Sequence, residues 1–401
     1  MHVGIVGTGK MGTALLKLLK STPYHINVLA SGADKAEKSR RKYFKKIERE
    51  FKQGGISEKK YNNIKAIRKF THKIEDLAGC QLVVESITED FEAKTSLFRK
   101  IESVVDKDAI LATNTSSIPI SDLAGKLRYN NRFCGLHFFH PVFMMNLVEI
   151  IRKADTQPRL VDLMKDFSRQ IGKKPIVVFD APGSVLNLIL FYYYLEAFYI
   201  LESGLALPSE IDKLAKQYFY TGPCESVDTI GIDLFLTGLK IQSRPDSICP
   251  VRWTDDPLQQ IDSEKSGGRE GFYVPHLFRK LIAENRRETG VAKKVYDFED
   301  NPEFYIDETG MSSRVTPDTS KKEKDLIVKR LLYAIFNGAI DAVQKGKSSI
   351  KELDIGLKEV LWMDQGPFSM MKKIGREKVQ ENFDYLISNV GKRFTQTALS
   401  L

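Results

Sequence analysis

The chain has 401 residues, 42% hydrophobic and 28% charged, which is the balance of a globular protein with two or three domains. A net charge of +9 favours anionic partners, but the cations are not interleaved with aromatic residues as on a nucleic-acid platform. A phosphorylated small molecule therefore explains the charge as well as RNA does, and no nucleic-acid partner is predicted. The four cysteines form no CxxC pair, so neither a disulfide framework nor a metal site is indicated.

The first predicted element is an apolar strand, residues 2–6, directly after Met1. Because no basic and apolar leader precedes this strand, we predict no signal peptide and a cytoplasmic protein. A turn with GxGxxG spacing follows, and an apolar-periodic helix starts at Met11. Such a turn lets the backbone approach a pyrophosphate at a helix N-terminus, which predicts dinucleotide contacts from Gly7, Gly9, Lys10, Met11 and Gly12.

Further strands are predicted by short apolar runs, most of the early ones separated by helical patterns. This order predicts an α/β domain of the Rossmann type, with a largely parallel, doubly wound sheet and antiparallel additions where short links join late strands. The lysine-rich run 34–69 reads as a helical hairpin that turns at Gly54-Gly55, with most of its lysines on a solvated face. The predicted strands cover residues 26–30, 81–86, 109–114, 133–138, 147–151 and 175–179.

The end of the second strand bears on the choice of cofactor. An NAD-binding fold expects a carboxylate there, about 20 residues beyond the glycines, to hold the ribose hydroxyls. This chain has Ala30-Ser31-Gly32 instead, with several cations shortly downstream. The stretch therefore allows NADP as well as NAD, although the same cations are also explained as ordinary helix surface.

The run 185–201 is almost continuously apolar and could be mistaken for a membrane span. It is at the short limit for crossing a bilayer and contains Asn187 and Glu196. We therefore predict a buried helix at the centre of a second domain and no membrane partner.

Five motifs follow one another along the chain, and they read GTGKMG, VVESITEDFEAKTSLF, LATNTSS, GLHFFHP followed by NLVEII, and GKKPIVVFDAPGSVLN. In this order and spacing they resemble the 3-hydroxyacyl-CoA dehydrogenases, and five motifs in register are far more specific than any one of them. The resemblance covers the first 190 residues well and the rest more loosely.

The resemblance implies a catalytic set. His137 is expected to act as general base towards the substrate hydroxyl, with Glu149 accepting from its other ring nitrogen. Ser116 is expected to hydrogen-bond the substrate oxygen, although a turn or helix-capping role for this serine cluster is also open. Asn187 is expected to reach the site from the first helix of the second domain.

The same resemblance places Glu89 and Lys94 on the cofactor side, with Asn114 and Ser31 as further cofactor contacts. Glu89 and Lys94 are five positions apart and need not pair on a helix, and a surface role explains Lys94 equally well. The side chains of FCGLHFF should alternate between faces, so His137 and His140 are expected to point to opposite sides of the sheet and only one of them can face the site. The family pattern assigns His137.

Three departures from the family pattern leave the substrate open. His140 stands where asparagine is usual, Asn146 replaces a lysine or proline, and Leu188 replaces an arginine. The substrate is therefore expected to be an acyl-CoA, with an acyl carrier protein as the alternative thioester carrier.

The C-terminal half contains an internal repeat. The segment from Gly204 to Asp212 matches the segment from Gly346 to Asp354, and each is followed by a Gly-Pro pair. In this register Lys329 stands where Asn187 stands, so the second copy is expected to be structural. We predict a Rossmann domain at 1–182, all-α C-terminal domain copies at 183–298 and 326–401, and a polar linker at 299–325.

The function implied is an NAD(P)-dependent oxidoreductase that interconverts L-3-hydroxyacyl-CoA and 3-ketoacyl-CoA in fatty acid metabolism, such as β-oxidation. The alternatives are a dehydrogenase of a carrier-bound or free 3-hydroxy acid, and a non-catalytic dinucleotide-binding subunit. The internal duplication allows a monomer, while a dimer remains open. Residues 267–298 resemble the family's closing segment only loosely.

Overall fold

The computed structural model describes residues 1–242, 275, 277, 294–298 and 319–394. Its internal contacts divide the chain into two compact units, Met1–Asp180 and Ala181–Leu401. Most of the segment 267–298 and of the predicted linker lies outside the described residues.

The first unit is an α/β domain built on one sheet. Its helices are α1 (Lys10–Leu18), α2 (Ala33–Lys52), α3 (Glu58–Ala66), α4 (Phe91–Val104), α5 (Ile120–Ala124) and α6 (Pro158–Gln170). Its strands are β1 (His2–Val6), β2 (His25–Leu29), β3 (Arg68–Thr71), β4 (Leu82–Glu85), β5 (Ile110–Thr113), β6 (Phe133–Phe138), β7 (Leu147–Arg152) and β8 (Lys174–Phe179).

The strands follow the order β3-β2-β1-β4-β5-β6-β7-β8. All neighbours are parallel except β6 and β7, which an eight-residue link joins as an antiparallel pair. The predicted Rossmann-type sheet with a late antiparallel addition is therefore confirmed. Strand β3 was not predicted, and it occupies the end of the segment that we assigned to the helical hairpin α2–α3.

The central strands β4, β5 and β6 are buried at every position, as expected where helices cover both faces of a sheet. Polar side chains in such strands must be hydrogen-bonded, because burying an unpaired polar group is costly. Glu85, Thr113 and His137 are polar residues in these strands. They lie at or near the carboxyl ends of their strands, the edge where open α/β sheets bind ligands.

The described part of the second unit is helical. Its helices are α7 (Val185–Glu202), α8 (Pro208–Ala215), α9 (Pro223–Ile230), α10 (Ile232–Gln242), α11 (Lys321–Gln344), α12 (Ile350–Leu361), α13 (Pro367–Ile374) and α14 (Arg376–Asn389). Helix α11 begins inside the predicted linker 299–325, because Ser320 and Glu323 form a capping box that starts it at Lys321. The predicted domain bounds themselves stay a prediction.

Helix α7 is the core helix of this unit, as predicted. Among the described residues it is the one helix long and apolar enough to cross a membrane, but 89% of that window is buried inside the protein. It packs along α11, where a β-carbon on Gly338 would come within 2.9 Å of the Tyr192 ring. The buried Glu196 of α7 is held by Arg330 at 2.5 Å and by Arg393 at 2.7 Å.

The two repeated segments share a local device. Asp212 accepts backbone hydrogen bonds at the start of α9, and Asp354 does the same at the start of α13. A β-carbon on Gly222 or Gly366 would lie 2.1 Å and 2.5 Å, respectively, from the carbon of the capping carboxylate. These common features support the predicted duplication, which itself stays a prediction.

Candidate active site

The turn between β1 and α1 fits a dinucleotide phosphate. Gly7 has φ +108°, and a β-carbon there would lie 2.3 Å from the Ser86 carbonyl oxygen, so only glycine is accommodated. Gly12 packs against the carbonyl of Gly7, which brings the helix close to the strand. The space above Gly9 is open, and no side chain caps the N-terminus of α1. The first backbone N–H groups of α1, at Lys10 and Met11, therefore have the geometry that suits an anion.

A cavity of about 540 Å³ opens at the ends of β1, β2, β3 and β4. Its walls include the apolar side chains of Leu29, Ile74 and Ile87, and Ser31 lines it at the end of β2. Its position at the carboxyl ends of these strands suits the adenosine half of a dinucleotide. Glu75 also lines the cavity and contributes a carboxylate to it.

His137 and Glu149 form a buried pair across the antiparallel strands β6 and β7. The strand register sets these two residues directly opposite each other, and the His137 Nδ1 atom lies 2.8 Å from the Glu149 carboxylate. His137 is 6% exposed and Glu149 is fully buried. An ionised carboxylate only accepts hydrogen bonds, so Nδ1 carries the proton and Nε2 is left with the lone pair of a base.

His140 differs in placement from the prediction. The prediction compared His140 with His137 on one strand, but β6 ends at Phe138 and His140 is exposed in the following link. The strand-alternation reason is therefore wrong. Burial and the positive charge of the nearby Lys10 lower the pKa of His140, so this histidine belongs to the surroundings of the glycine turn.

The turn after β5, residues 114–118, carries Ser116. One oxygen of Glu89 accepts from the Ser116 amide at 3.0 Å, from the Ser117 amide at 3.1 Å and from the Ser117 hydroxyl at 2.7 Å. The Thr115 hydroxyl also donates to this oxygen. Burial acts to raise the pKa of Glu89, but the charge of Lys94 and these hydrogen bonds outweigh it and lower the pKa.

The alternative capping role for the serines is not what the structure shows. The Asp180 carboxylate accepts from the amides of Ile120 and Ser121 and so caps α5, while the Ser121 hydroxyl donates to the same carboxylate. The backbone amide of Ser116 instead donates to Glu89 within the turn 114–118. Asn114 ties this turn to β6, because its side-chain oxygen accepts from the Phe138 amide at 2.9 Å.

Lys94 is not a surface residue, and that interpretation was wrong. It is 1% exposed, and its ammonium lies 2.7 Å from Glu85 and 3.2 Å from Glu89. Sequence reasoning missed Glu85, which also accepts from the Ile87 amide and the Thr113 hydroxyl. The available signal was an acidic residue closing an apolar strand, since a buried charge requires a partner.

Asn187 lies in the second unit, half-buried in the first turn of α7, where its backbone N–H donates to the capping hydroxyl of Ser184. In the second segment, Lys329 lies over the ring of Tyr385. The role of Asn187 in catalysis stays a prediction.

A groove of about 830 Å³ runs beside the glycine turn, between α1 and α2. Its apolar floor includes Leu16, Val28 and Ile47. Burial and repulsion from Lys46 and Lys42 lower the pKa of Lys17, as expected where cations outnumber carboxylates. The cations that line this groove are Lys17, Lys20, Lys42, Lys45, Lys46 and Arg49.

A glycine turn with the spacing typical of dinucleotide binding and a buried histidine paired with a carboxylate, both on one doubly wound sheet, are the arrangement expected of a nicotinamide-dependent dehydrogenase. Comparison of the sequence with known protein families leads to the same class. The NAD binding domain of 3-hydroxyacyl-CoA dehydrogenase matches residues 2–181, and the C-terminal domain matches residues 183–297 and 326–399. The chain belongs to the 3-hydroxyacyl-CoA dehydrogenase family, and the prediction of an NAD-dependent oxidoreductase of this family is confirmed.

Individual relatives span different parts of the chain. The mitochondrial hydroxyacyl-coenzyme A dehydrogenase of Sus scrofa is 31% identical over 284 residues, 68% of this chain and 90% of that protein. The fatty acid oxidation complex subunit alpha of Shewanella amazonensis is 30% identical over 89% of this chain and 48% of its own length. The crystal structure of 3-hydroxybutyryl-CoA dehydrogenase from Escherichia coli K12 shares the fold, with a TM-score of 0.74 at 20% identity, over 99% of this chain and 97% of that one.

Proposed function

We propose that the chain interconverts L-3-hydroxyacyl-CoA and 3-ketoacyl-CoA with NAD, with His137 as the general base. The observation that carries this proposal is the buried His137–Glu149 pair at 2.8 Å, at the carboxyl edge of a sheet that also bears a dinucleotide turn. When bound, NAD supplies a nicotinamide ring that takes the hydride from the carbinol carbon. The protein must remove the hydroxyl proton and hold the substrate oxygen.

His137 takes this proton on Nε2, because Nδ1 is committed to Glu149. The carboxylate holds the ring in one tautomer and stabilises the imidazolium that forms. Ser116 is the proposed hydrogen-bond partner of the substrate oxygen, from a turn that Asn114 ties to β6. Asn187 keeps its proposed role on the strength of its motif.

The coenzyme A ester is favoured over a free 3-hydroxy acid by the cationic groove. Coenzyme A carries three phosphate groups, and the groove combines six cations with an apolar floor. Burial is the larger cause of the lowered pKa of Lys17, and repulsion from Lys46 and Lys42 adds to it, so a polyanion bound here would relieve that part of the effect. A carrier-bound thioester is the second candidate, because its phosphopantetheine has one phosphate and the carrier surface is acidic in general.

NAD is the proposed cofactor, with NADP as the alternative. The family match favours NAD, and Glu75 in the adenosine cavity is a carboxylate able to accept from ribose hydroxyls. The absence of a carboxylate at Ser31 favours NADP. We also propose a cytoplasmic location. We further propose a monomer made self-sufficient by the internal duplication, and sedimentation of the purified chain tests this oligomeric state.

The first test is consumption of NADH or NADPH on mixing the protein with acetoacetyl-CoA. We expect turnover, with the ratio of the two rates identifying the cofactor. His137→Gln should lower kcat by at least about 100-fold and leave NADH binding intact. His140→Gln is the matched control on the neighbouring link, and a loss there with none at His137 would reverse the assignment.

Substitutions in the cationic groove test whether the acyl group is carried by coenzyme A or by a carrier protein. Lys42→Ala with Lys46→Ala should raise KM for acetoacetyl-CoA by about tenfold and weaken its salt dependence, since two ionic contacts are lost. A phosphate-free thioester, acetoacetyl-N-acetylcysteamine, should show no change. Lys38→Ala, on the same helix but outside the groove lining, is the control. An unchanged KM for acetoacetyl-CoA would favour a carrier-bound substrate.

A further inference from the structure

Glu85, Lys94 and Glu89 form a chain of charges beneath the turn 114–118. Glu85 is fully buried at the last position of β4, and its carboxylate accepts from Lys94 at 2.7 Å and from the Ile87 amide at 2.6 Å. The Thr113 hydroxyl donates to the other oxygen at 2.5 Å. Three donors from a strand, a loop and a helix thus fix Glu85 rigidly.

Lys94 passes this constraint to Glu89. The Lys94 side chain is 1% exposed and its ammonium lies between the two carboxylates, so it does not turn to solvent. With Glu85 holding Lys94 in place, the lysine anchors one oxygen of Glu89. The second oxygen of Glu89 is then free to gather the donors of the turn.

The donors gathered by Glu89 determine the conformation around Ser116. The amides of Ser116 and Ser117 and the hydroxyls of Thr115 and Ser117 converge on one carboxylate oxygen. A turn satisfied in this way has one backbone conformation, which fixes the direction in which the Ser116 side chain leaves it. The charges that hold this turn belong to Glu85, Lys94 and Glu89, which lie outside residues 114–118.

We propose that Glu85 is a positioning residue that acts through Lys94 and Glu89 to hold the Ser116 turn in its reactive conformation. This inference rests on the proposed function only for the role of Ser116 in the reaction. The coupling from Glu85 to the turn is a property of the protein itself.

Hydrogen exchange tests the coupling without any substrate. In Glu85→Gln, the peptide covering residues 114–118 should exchange at least about tenfold faster, because Ser116 and Ser117 lose the fixed acceptor. Glu102→Gln is the matched control, since Glu102 accepts from the amides of Arg128 and Tyr129 in the same unit. That variant should speed exchange at 128–129 and leave 114–118 unchanged. Wild-type exchange at 114–118 in folded Glu85→Gln overturns the proposal.

Kinetics then test whether the coupling reaches the reaction. Glu85→Gln should lower kcat by about 10- to 100-fold with KM for acetoacetyl-CoA within about twofold, as a misplaced contact does. In a Ser116→Ala background, the same change should lower kcat no further, because both act through one contact. An equal loss in both backgrounds overturns the proposal.

A second variant covers failure of Glu85→Gln to fold. Glu85→Gln with Lys94→Met removes both charges of the buried pair, which proteins tolerate better than a single unpaired charge. It should show the same faster exchange at 114–118, because Glu89 loses its anchor. If the wild-type protein does not turn over acetoacetyl-CoA, the proposed function fails while the exchange result still decides the role of Glu85.

Discussion

Glu149, the carboxylate paired with the proposed base His137, allows a quantitative prediction. Glu149→Gln replaces the fully buried acceptor of the His137 Nδ1 proton with a neutral amide of the same shape. A charge-assisted hydrogen bond contributes about 1.5–3 kcal/mol, and each 1.36 kcal/mol is a factor of ten in rate. Because the imidazolium forms only as the reaction proceeds, kcat should fall by about 10- to 150-fold while KM stays nearly constant.

The assay is steady-state oxidation of L-3-hydroxybutyryl-CoA by NAD, the direction in which the imidazolium forms, for four proteins: wild type, His137→Gln, Glu149→Gln and the double variant. Glu149 acts through His137, so the double variant should be no slower than His137→Gln alone. Glu102→Gln controls for removing a half-buried carboxylate elsewhere in the unit. Wild-type kcat in a folded Glu149→Gln, or a further loss in the double variant, would refute the base-and-carboxylate assignment.

Three other changes test separate parts of the structure. Gly12→Ala places a β-carbon 2.0 Å from the Gly7 carbonyl oxygen, so NADH should bind at least about tenfold more weakly in a fluorescence titration. Glu196→Gln leaves Arg330 and Arg393 with a neutral partner, and urea unfolding should show a loss of about 3–5 kcal/mol. The lowered folded pKa of Glu89 means that its carboxylate stabilises the fold above its ordinary value of 4.5, and this stabilisation is lost as the pH falls through the lowered pKa. Glu89→Gln should therefore flatten the acid limb of the stability profile below pH 4.5.

Each of these has an outcome that contradicts it. Normal NADH affinity in Gly12→Ala would show that the helix need not approach the turn. A loss in Glu196→Gln no larger than in the exposed control Glu377→Gln would show that the buried charges are not coupled. An unchanged acid limb in Glu89→Gln would place the titrating carboxylate elsewhere.

The apolar strands were readable from the sequence because buried strands are short, continuous hydrophobic runs. Strand β3 was not, because Arg68–Thr71 is four residues long, rich in cations and at the sheet edge, where only its pairing with β2 distinguishes it from the end of a helix. Propensity carries little information at such a position.

The site was predictable in part. The His137–Glu149 pair follows from two strands joined by a short link, with the family motif indicating their partnership. The chain of charges formed by Glu85, Lys94 and Glu89 beneath the Ser116 turn was not predictable. Lys94 lies in the same helical pattern as a solvent-exposed lysine. Its burial depends on Glu85, which a different strand contributes. The sequence pattern also assigned the lysines of α2 to a solvated face, although four basic residues there line a groove.

The ion pair between Glu196 and Arg393 joins positions 197 residues apart in the chain. During translation at about 5–20 residues per second, roughly 10–40 seconds pass between the two. The dinucleotide-binding unit can complete its core in this interval, because its sheet needs no later residues. Helix α7 instead remains with an uncompensated carboxylate and a bare apolar surface until α11 and Arg393 emerge. We therefore expect nascent chains halted before residue 393 to bind chaperones through α7 rather than through the sheet.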